Sequence, residues 1–219
     1  MPTKTLIFDM NGTMIDDMHY HELAWYNILV KELGAPLTRE QVKHELYGKN
    51  EELFARVFGQ DWYTNAEVDA FTQRKEALYR EEFASDLKLI DGLAEFLGKA
   101  KAMQISLAIG TAAIPANVDF VLDNLNLRHY FPVIIGPGDV IHSKPHPEVF
   151  LKAADELGVM PENCIVFEDS PKGIEAARRA GMKAVGIASY HSAKELENSN
   201  ILAIINNYND PFLNSLLVH

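Results

Sequence analysis

The chain has 219 residues, of which 47% are hydrophobic and 23% charged, a composition typical of a globular protein with one or two domains. Its formal net charge of -11 argues against a nucleic-acid-binding or anionic-membrane-binding surface, because both kinds of surface need basic patches. The single cysteine, Cys164, excludes an intrachain disulfide and a multi-cysteine zinc site. Neither a secretory signal peptide nor a membrane-spanning run is visible, so we expect a cytoplasmic protein.

The first element in the chain is the short apolar run Leu6–Phe8, whose abrupt polar end is typical of a buried parallel strand. A long helical region follows, in which Gly34 and Pro36 end the first helix. Three more helices are predicted in this region, at about 39–46, 51–58 and 66–83. We therefore expect an all-helical insertion over residues 16–87 that forms a domain of its own.

Strands and helices alternate in the remainder of the chain. The predicted strands are 105–109, 133–135, 164–167, 184–187 and 201–205. Helices are predicted at about 93–101, 148–157 and 173–180, and another carries Val118, Val121, Leu122 and Leu125 on one face. Alternation at this spacing is typical of βαβ units and predicts a parallel sheet covered by helices on both faces. The expected fold class is α/β, with a Rossmann-like doubly wound core domain formed by residues 1–15 and 88–219.

Chemically distinctive side chains follow four of the predicted strands: Asp9, Thr111, Lys144 and the pair Glu168-Asp169. Each has an ordinary alternative explanation, because Asp and Thr often cap helices or form turns and a lone lysine beside prolines is usually solvated. However, the carboxyl ends of parallel strands meet at one edge of a sheet, where ligands of this fold class bind. We therefore expect these side chains to meet in one crevice.

This combination of carboxylates, an ammonium group and a hydroxyl suits Mg²⁺-assisted phosphoryl transfer. Mg²⁺ is held by one or two carboxylates and keeps several waters. The metal, Lys144 and the Thr111 hydroxyl would neutralise the phosphoryl oxygens. A carboxylate would attack phosphorus in line and form an aspartyl-phosphate. The metal is also needed because an anionic nucleophile would otherwise repel an anionic phosphate.

Four short motifs occur in a characteristic order along the chain. They are D-M-N-G-T at 9–13, G-T at 110–111, S-K-P-H-P at 143–147 and E-D-S-P-K-G-I-E-A-A at 168–177. This ordered set resembles the haloacid dehalogenase-like hydrolase superfamily, and in particular its β-phosphoglucomutase-like branch. The likeness covers nearly the whole chain, and the helical insertion after the first motif resembles the small mobile cap of that superfamily.

The resemblance implies a role for each motif residue. Asp9 matches the nucleophile and a magnesium ligand, and Asn11 matches the position whose backbone carbonyl binds Mg²⁺. Thr111 matches the phosphate-binding hydroxyl and Lys144 the phosphate-binding lysine. Asp169, with Glu168 as its helper, matches the acidic metal-binding pair.

Asn11 departs from the usual first motif of the family, which has an Asp at this position. That second Asp donates a proton to the leaving oxygen and later deprotonates the attacking water. An amide has no proton to exchange near neutral pH, and general acid–base catalysis is typically worth about 10²–10⁴ in rate. Acyl and aryl phosphates, which have good leaving groups, should still phosphorylate Asp9, whereas sugar phosphates should react poorly. The aspartyl-phosphate should also persist longer.

Three explanations of Asn11 stay open: an enzyme with altered chemistry, a degenerate binding protein, or a substitution introduced to trap a complex. His21, in the segment H-Y-H at 19–21, matches a cap histidine of β-phosphoglucomutase and is a candidate surrogate acid. Its alternative interpretation is a structural or solvated histidine.

A mutase must also hold a second phosphate, and the sequence is poor in the residues that would do so. The stretch after Thr111 is Ala112-Ala113-Ile114, which offers backbone amides but no side-chain donor. The insertion keeps Gly48, but Glu51 falls about where the resemblance implies an arginine, with Lys49 as the alternative cation. Lys75 matches a substrate-contacting cap lysine, with a solvated helix charge as the alternative. These features favour a substrate with one phosphate.

The leading hypothesis is a Mg²⁺-dependent phosphatase that acts on a small phosphorylated metabolite, with sugar phosphates among the candidates, through phospho-Asp9. The predicted substrate- or phosphate-binding residues are Thr111, Ala112, Lys144, His21, Gly48 and Lys75, and the predicted metal ligands are Asp9, Asn11, Glu168 and Asp169. We expect a monomer that binds neither nucleic acid nor membrane. The alternatives are a β-phosphoglucomutase, a catalytically impaired phosphometabolite-binding protein and a variant made to trap a complex.

Overall fold

The computed structural model describes residues 4–46 and 49–217, and the chain divides into two compact units. One unit contains the residues up to Asp16 together with those from Lys88 onward, and the other is Asp17–Leu87. Among the described residues, no helix is both long and apolar enough to cross a membrane.

The first unit is built on a six-stranded parallel sheet with the strand order β3-β2-β1-β4-β5-β6. The strands are β1 (Thr5–Phe8), β2 (Ser106–Gly110), β3 (Val133–Ile135), β4 (Cys164–Glu168), β5 (Lys183–Ile187) and β6 (Ile201–Ile205). This order is that of a Rossmann-like doubly wound sheet, which confirms the predicted fold class. Strands β2 and β3 lie on one side of β1 and strands β4 to β6 on the other, so the direction of strand addition reverses at β1 and the switch point lies at its end.

Ten α-helices lie in the described part of the chain. Those of the second unit are α1 (Met18–Tyr26), α2 (Arg39–Glu45), α3 (Asn50–Phe58) and α4 (Asn65–Phe83), and those of the first unit are α5 (Leu93–Ala102), α6 (Pro115–Asn124), α7 (Glu148–Glu156), α8 (Pro171–Arg179), α9 (Ala193–Leu196) and α10 (Phe212–Leu217). Most of the predicted elements are present within one to three residues of their expected bounds. The short helices α9 and α10 are additions to the prediction.

The central strands are fully buried because both of their faces are covered. Every residue of β1 and β4 is buried, which is why these segments are continuously apolar rather than alternating. One core cluster packs Ile7 and Val166 of the sheet against Phe150 of α7 and Ala177 of α8. This packing fixes the strand ends at which the polar side chains begin.

The second unit has a helical core of its own, with Trp25, Leu29, Phe54 and Val68 among its buried members. Trp25 is 4% exposed and meets Phe54 edge-on, so packing accounts for its position. The first predicted helix differs from expectation, because α1 continues as a π-helix over Asn27–Glu32. Nothing in the structure explains this change of pitch. That this unit acts as a cap stays a prediction.

Candidate active site

The site begins at Asp9, the first residue after β1. Its backbone N–H donates to the carbonyl of Phe167 at 3.0 Å, so the backbone pairing of β1 with β4 continues to Asp9. The side chain is held deep in the unit, with the residue only 7% exposed. A buried carboxylate needs a compensating partner.

Lys144 is that partner. Its Nζ lies 2.6 Å from Oδ1 of Asp9 and 2.8 Å from Oε1 of Glu168. The ammonium group also lies over the ring of Phe150, 4.8 Å from its centroid. The lysine side chain is 11% exposed, so the alternative of a solvated lysine is wrong. The structure thus joins two predicted strand ends and the proline-rich loop through one cation.

Burial and charge act in opposite directions on these groups. Burial raises the pKa of Asp9, Lys144 lowers it, Glu168 raises it again, and the result is a pKa of about 7. Burial alone would lower the pKa of Lys144, but the carboxylates of Asp9 and Glu168 raise it above its ordinary value. Lys144 is therefore a permanent cation, and Asp9 is a carboxylate whose ionisation depends on the positive charge around it.

Asp9, Glu168 and Asp169 form a cluster of three buried carboxyl groups, with one oxygen from each lying within 4.8 Å of the others. Three carboxyl groups beside one ammonium group leave more acidic than basic groups in a buried place. Carboxylate oxygens are the ligands that Mg²⁺ prefers, so the donor chemistry of this cluster fits a divalent cation of that kind.

Glu168 is held more tightly than the other two acids. Its Oε2 accepts hydrogen bonds from the Ser170 N–H at 2.7 Å and the Ser170 hydroxyl at 2.9 Å, while Oε1 accepts from Lys144. A Cβ at Gly173 would lie 1.7 Å from Glu168 Oε1, so glycine is required there to admit the carboxylate. These contacts suit Glu168 to orienting Lys144.

The predicted phosphate-binding hydroxyl follows β2, the strand that neighbours β1. Thr111 is 2% exposed, its N–H donates to the Ile135 carbonyl at 2.9 Å, and its Oγ1 accepts from the Ala113 N–H at 3.1 Å. Ala112 is exposed at the same strand end. The backbone thus carries Thr111 and Ala112 to the edge of the sheet at which Asp9 lies.

Asn11 lies in the tight turn that follows Asp9. It forms an isolated bridge with Ile15, and Gly12 takes a φ of 70°, a left-handed conformation that glycine adopts without strain. The N–H groups of Thr13 and Met14 both donate to the carbonyl of Met10, at 3.3 and 2.8 Å. Asn11 is partly buried, and its carboxamide brings no titratable group to the turn.

Two of the residues predicted to contact substrate belong to a buried polar cluster within the helical unit. Lys75 is 2% exposed, with Nζ 2.9 Å from Oε1 of Glu76 and 2.5 Å from Nδ1 of His21. His21 Nε2 lies 3.3 Å from Oδ2 of Asp17, and the same oxygen accepts the Tyr79 hydroxyl at 2.5 Å. Lys75 is thus buried and paired, so the alternative of a solvated helix charge is wrong. Gly48 lies outside the described residues.

A family model described as haloacid dehalogenase-like hydrolase matches residues 3–181. The chain belongs to this family. This is a family of enzymes, and the motif residues of this hydrolase lie at the strand ends described above.

The relatives of this hydrolase include proteins named as phosphatases and as a β-phosphoglucomutase. It is 33% identical over 185 residues to fructose-1-phosphate phosphatase YqaB of Escherichia coli (strain K12), covering 83% of this chain and 95% of that protein. It is 33% identical over 191 residues to β-phosphoglucomutase of Bacillus subtilis (strain 168), covering 84% and 83%. A solved HAD hydrolase, family IA, variant 3, from Entamoeba histolytica HM-1:IMSS superposes with a TM-score of 0.86 at 29% identity, covering 98% of this chain and 99% of that one.

Two residues of the hydrolase core near the first motif were missed by the sequence reasoning. Ser189, two residues after β5, donates its hydroxyl to the Gly12 carbonyl, and Tyr208, three residues after β6, donates to the Thr13 carbonyl. Neither belongs to a recognisable motif. The segment that follows β6 therefore contributes a contact to the first motif. The rule that ligands gather at strand ends could have marked both positions, since each follows a strand of the same sheet.

Proposed function

We propose that this hydrolase is a Mg²⁺-dependent phosphatase that acts on a small phosphorylated metabolite, of the sugar phosphate class, through an aspartyl-phosphate on Asp9. The observation that supports the proposal is the contact of Lys144 with both Asp9 and Glu168 inside a cluster of three buried carboxyl groups. The named activities of the relatives, which include a fructose-1-phosphate phosphatase, agree with this substrate class.

In the first step, a carboxylate oxygen of Asp9 attacks phosphorus, and the bond between phosphorus and the leaving oxygen breaks. Lys144 and the Thr111 hydroxyl stabilise the negative charge of the phosphoryl oxygens during the transfer, and the backbone N–H of Ala112 adds a further donor. Mg²⁺ held by Asp9, Asp169 and the Asn11 carbonyl, beside Glu168, would add the positive charge that lets an anionic nucleophile approach an anionic phosphate. Water then attacks the phosphorus of phospho-Asp9 and releases phosphate.

Asn11 decides which donors react well. Its carboxamide neither gives a proton to the leaving oxygen nor takes one from the attacking water near neutral pH. Leaving groups that are stable as anions need no proton, so aryl and acyl phosphates should phosphorylate Asp9 readily. Sugar alkoxides need one, so sugar phosphates should be slow substrates. Hydrolysis of phospho-Asp9 should be slow for every donor.

The test is an assay of the unaltered chain and of Asn11→Asp on aryl, acyl and sugar phosphates, with Mg²⁺ or with EDTA. Phosphate release measures turnover, intact mass measures phosphorylation of the chain, and its absence in Asp9→Asn assigns the label to Asp9. The proposal predicts Mg²⁺-dependent labelling of the unaltered chain by acyl phosphates and faster release of phosphate from sugar phosphates by Asn11→Asp. If neither chain releases phosphate from any donor, the phosphatase assignment is wrong.

Two other functions have a specific observation in their favour. The 33% identity to a β-phosphoglucomutase favours a mutase, for which conversion of β-glucose 1-phosphate to the 6-phosphate without phosphate release is the diagnostic result. Asn11 favours a binding protein that retains metal and phosphometabolite but does not turn over. A chain that binds a sugar phosphate tightly but is not phosphorylated at Asp9 by any donor would be such a binding protein.

The helical unit enters the proposal as the substrate-covering cap of a cytoplasmic monomer. His21 and Lys75 are its proposed substrate-contacting residues, and Gly48 is a third. If Lys75 contacts the sugar, Lys75→Met should raise KM for a sugar phosphate and leave KM for a small aryl phosphate nearly unchanged. Equal effects on both substrates would instead favour a structural role for the lysine.

A further inference from the structure

The turn at Asn11-Gly12-Thr13 is fixed from outside by hydroxyl groups. The carbonyl of Gly12 accepts the Ser189 hydroxyl at 2.5 Å, and the carbonyl of Thr13 accepts the Tyr208 hydroxyl at 2.9 Å. Two successive peptide planes are therefore each held by a side chain from a different strand end. The two donors lie 177 and 195 residues further along the chain than the carbonyls they bind.

Tyr208 is built into the core at this point. The residue is 4% exposed, and its ring centroid lies 6.4 Å from that of Phe8, 5.9 Å from that of Phe96 and 5.8 Å from that of Phe167. Its N–H donates to the Asp91 carbonyl at 2.8 Å. A phenylalanine ring would fill the same aromatic space, so packing does not account for the hydroxyl. A buried hydroxyl without a partner is costly, and the Thr13 carbonyl is the partner given to this one.

The same turn is connected to the acidic cluster from its other side. The Thr13 hydroxyl donates to Oδ1 of Asp169 at 3.3 Å. The peptide plane of Gly12 follows directly on the Asn11 carbonyl, and Gly12 has the left-handed φ of 70° that sets where that carbonyl points. Rotation of either held plane would therefore change the direction of the Asn11 carbonyl or the position of Asp169.

We propose that Tyr208 and Ser189 are positioning residues for the divalent-cation site, because their hydroxyls fix the turn that presents the Asn11 carbonyl and anchors Asp169. The inference rests on the Mg²⁺ site of the proposed function. Mg²⁺ demands near-ideal octahedral geometry with ligands at about 2.0–2.1 Å, so a small rotation of one carbonyl weakens binding. Groups that orient metal ligands typically change metal affinity by about 10–100-fold when they are removed.

The test is calorimetric titration of the full-length protein with Mg²⁺, together with the shift in melting temperature that Mg²⁺ produces. Tyr208→Phe and Ser189→Ala should each weaken Mg²⁺ binding about 10-fold, and Ser189→Thr, which retains a hydroxyl, should restore most of it. Melting in EDTA separates this effect from any loss of fold. Ser189→Ala keeps the test available if Tyr208→Phe does not fold.

Matched controls are available in the same unit. Tyr130→Phe removes the hydroxyl of a tyrosine whose ring lies near Lys101. Ser215→Ala removes an exposed hydroxyl that donates to the Phe212 carbonyl at 2.6 Å. Both controls should bind Mg²⁺ as the unaltered chain does. If Tyr208→Phe and Ser189→Ala bind Mg²⁺ as tightly as the controls, whatever their melting temperature, the hydroxyls only tether the chain and the inference is wrong.

The two proposals fail differently. Mg²⁺ binding that weakens in Tyr208→Phe, in a chain that turns over no phosphate donor, would leave the positioning role intact and overturn only the phosphatase. Turnover with Mg²⁺ affinity unchanged in both variants would overturn only the positioning role. An unaltered chain that binds no Mg²⁺ would overturn both.

Discussion

Each unit of the molecule buries a lysine among carboxylates, yet the two lysines respond in opposite ways. In the first unit, Lys144 contacts Asp9 and Glu168, and its pKa lies above the ordinary value. In the helical unit, Lys75 contacts Glu76 and the His21 ring, and burial lowers its pKa below the ordinary value although Glu76 and Asp17 raise it.

The difference lies in what surrounds each ammonium group. Two carboxylates within hydrogen-bonding distance more than offset the desolvation of Lys144, whereas one carboxylate and an imidazole do not offset that of Lys75. The first cluster still has an excess of carboxylates, which suits it to a divalent cation and to phosphate chemistry. The second links its charges to one another through His21 and Tyr79, where the Tyr79 ring also stacks on that of His21 at 3.9 Å. Burial alone therefore does not determine the pKa or the role of a lysine, because both depend on the groups around it.

The strongest test of this contrast removes one carboxylate from each cluster. Asp9→Asn should abolish phosphoryl transfer, with a loss of roughly 10⁴-fold or more, because the nucleophile is gone. Asp17→Asn, which keeps an acceptor for Tyr79, should retain activity within about 10-fold. Initial rates on an aryl phosphate measure both. Comparable losses in the two variants would contradict the assignment of Asp9 as nucleophile.

The next test restores an acid in the first cluster. Asn11→Asp should raise the rate on sugar phosphates by about 10²–10⁴-fold, because it supplies a group that gives and takes a proton. The gain on acyl phosphates should be smaller, since their leaving groups need no proton. Single-turnover labelling separates transfer from hydrolysis. An equal gain on all donors would mean that Asn11 does not limit leaving-group protonation.

Removal of each lysine compares the clusters through stability. Lys144→Met leaves Asp9 and Glu168 buried without their cation and should lower the free energy of unfolding by about 3–5 kcal/mol. Lys75→Met removes a poorly solvated charge and should cost about 1–2 kcal/mol. Urea unfolding measures both losses, and added Mg²⁺ should restore part of the stability of Lys144→Met but none of that of Lys75→Met. If Mg²⁺ also stabilised Lys75→Met, the cluster around Lys75 would share the proposed cation-binding role.

The smallest expected effect concerns pH. Because burial raises the pKa of Asp9 from 3.8 to about 7, the metal-free native state keeps a proton between these values that the unfolded state releases. Stability is therefore lost as pH rises through this range. The neutral variant Asp9→Asn escapes the loss, so in EDTA its advantage over the unaltered chain should grow by about 1–3 kcal/mol between pH 5 and pH 8.

Denaturant melts at the two pH values measure this difference. Asp69→Asn, on an exposed part of α4, is the matched control and should show no such growth. Mg²⁺ should reduce the advantage of Asp9→Asn, because a nearby cation favours the ionised carboxylate. A constant difference across pH would show that Asp9 is already ionised throughout.

Much of the architecture could be predicted because its signals are local. The continuous apolar runs of β1 and β4 predict strands that are buried on both faces. The alternation of strands with helices predicts a parallel sheet. The π-helix at Asn27–Glu32 could not be predicted. Over six residues its different pitch changes the spacing of apolar residues too little to distinguish it from an α-helix in the sequence.

The sequence by itself determined the chemical nature of the first motif, since an amide at Asn11 has no proton to exchange in any fold. It also determined which residues follow the strands, and thus that Asp9, Thr111, Lys144 and Asp169 share one edge of the sheet. Only the tertiary structure decided that Lys144 joins Asp9 to Glu168, that Lys75 is buried, and that the Tyr208 hydroxyl reaches the Thr13 carbonyl. Local patterns report the period and polarity of a segment, whereas these contacts join residues up to 195 positions apart and depend on how the packed elements bring them together.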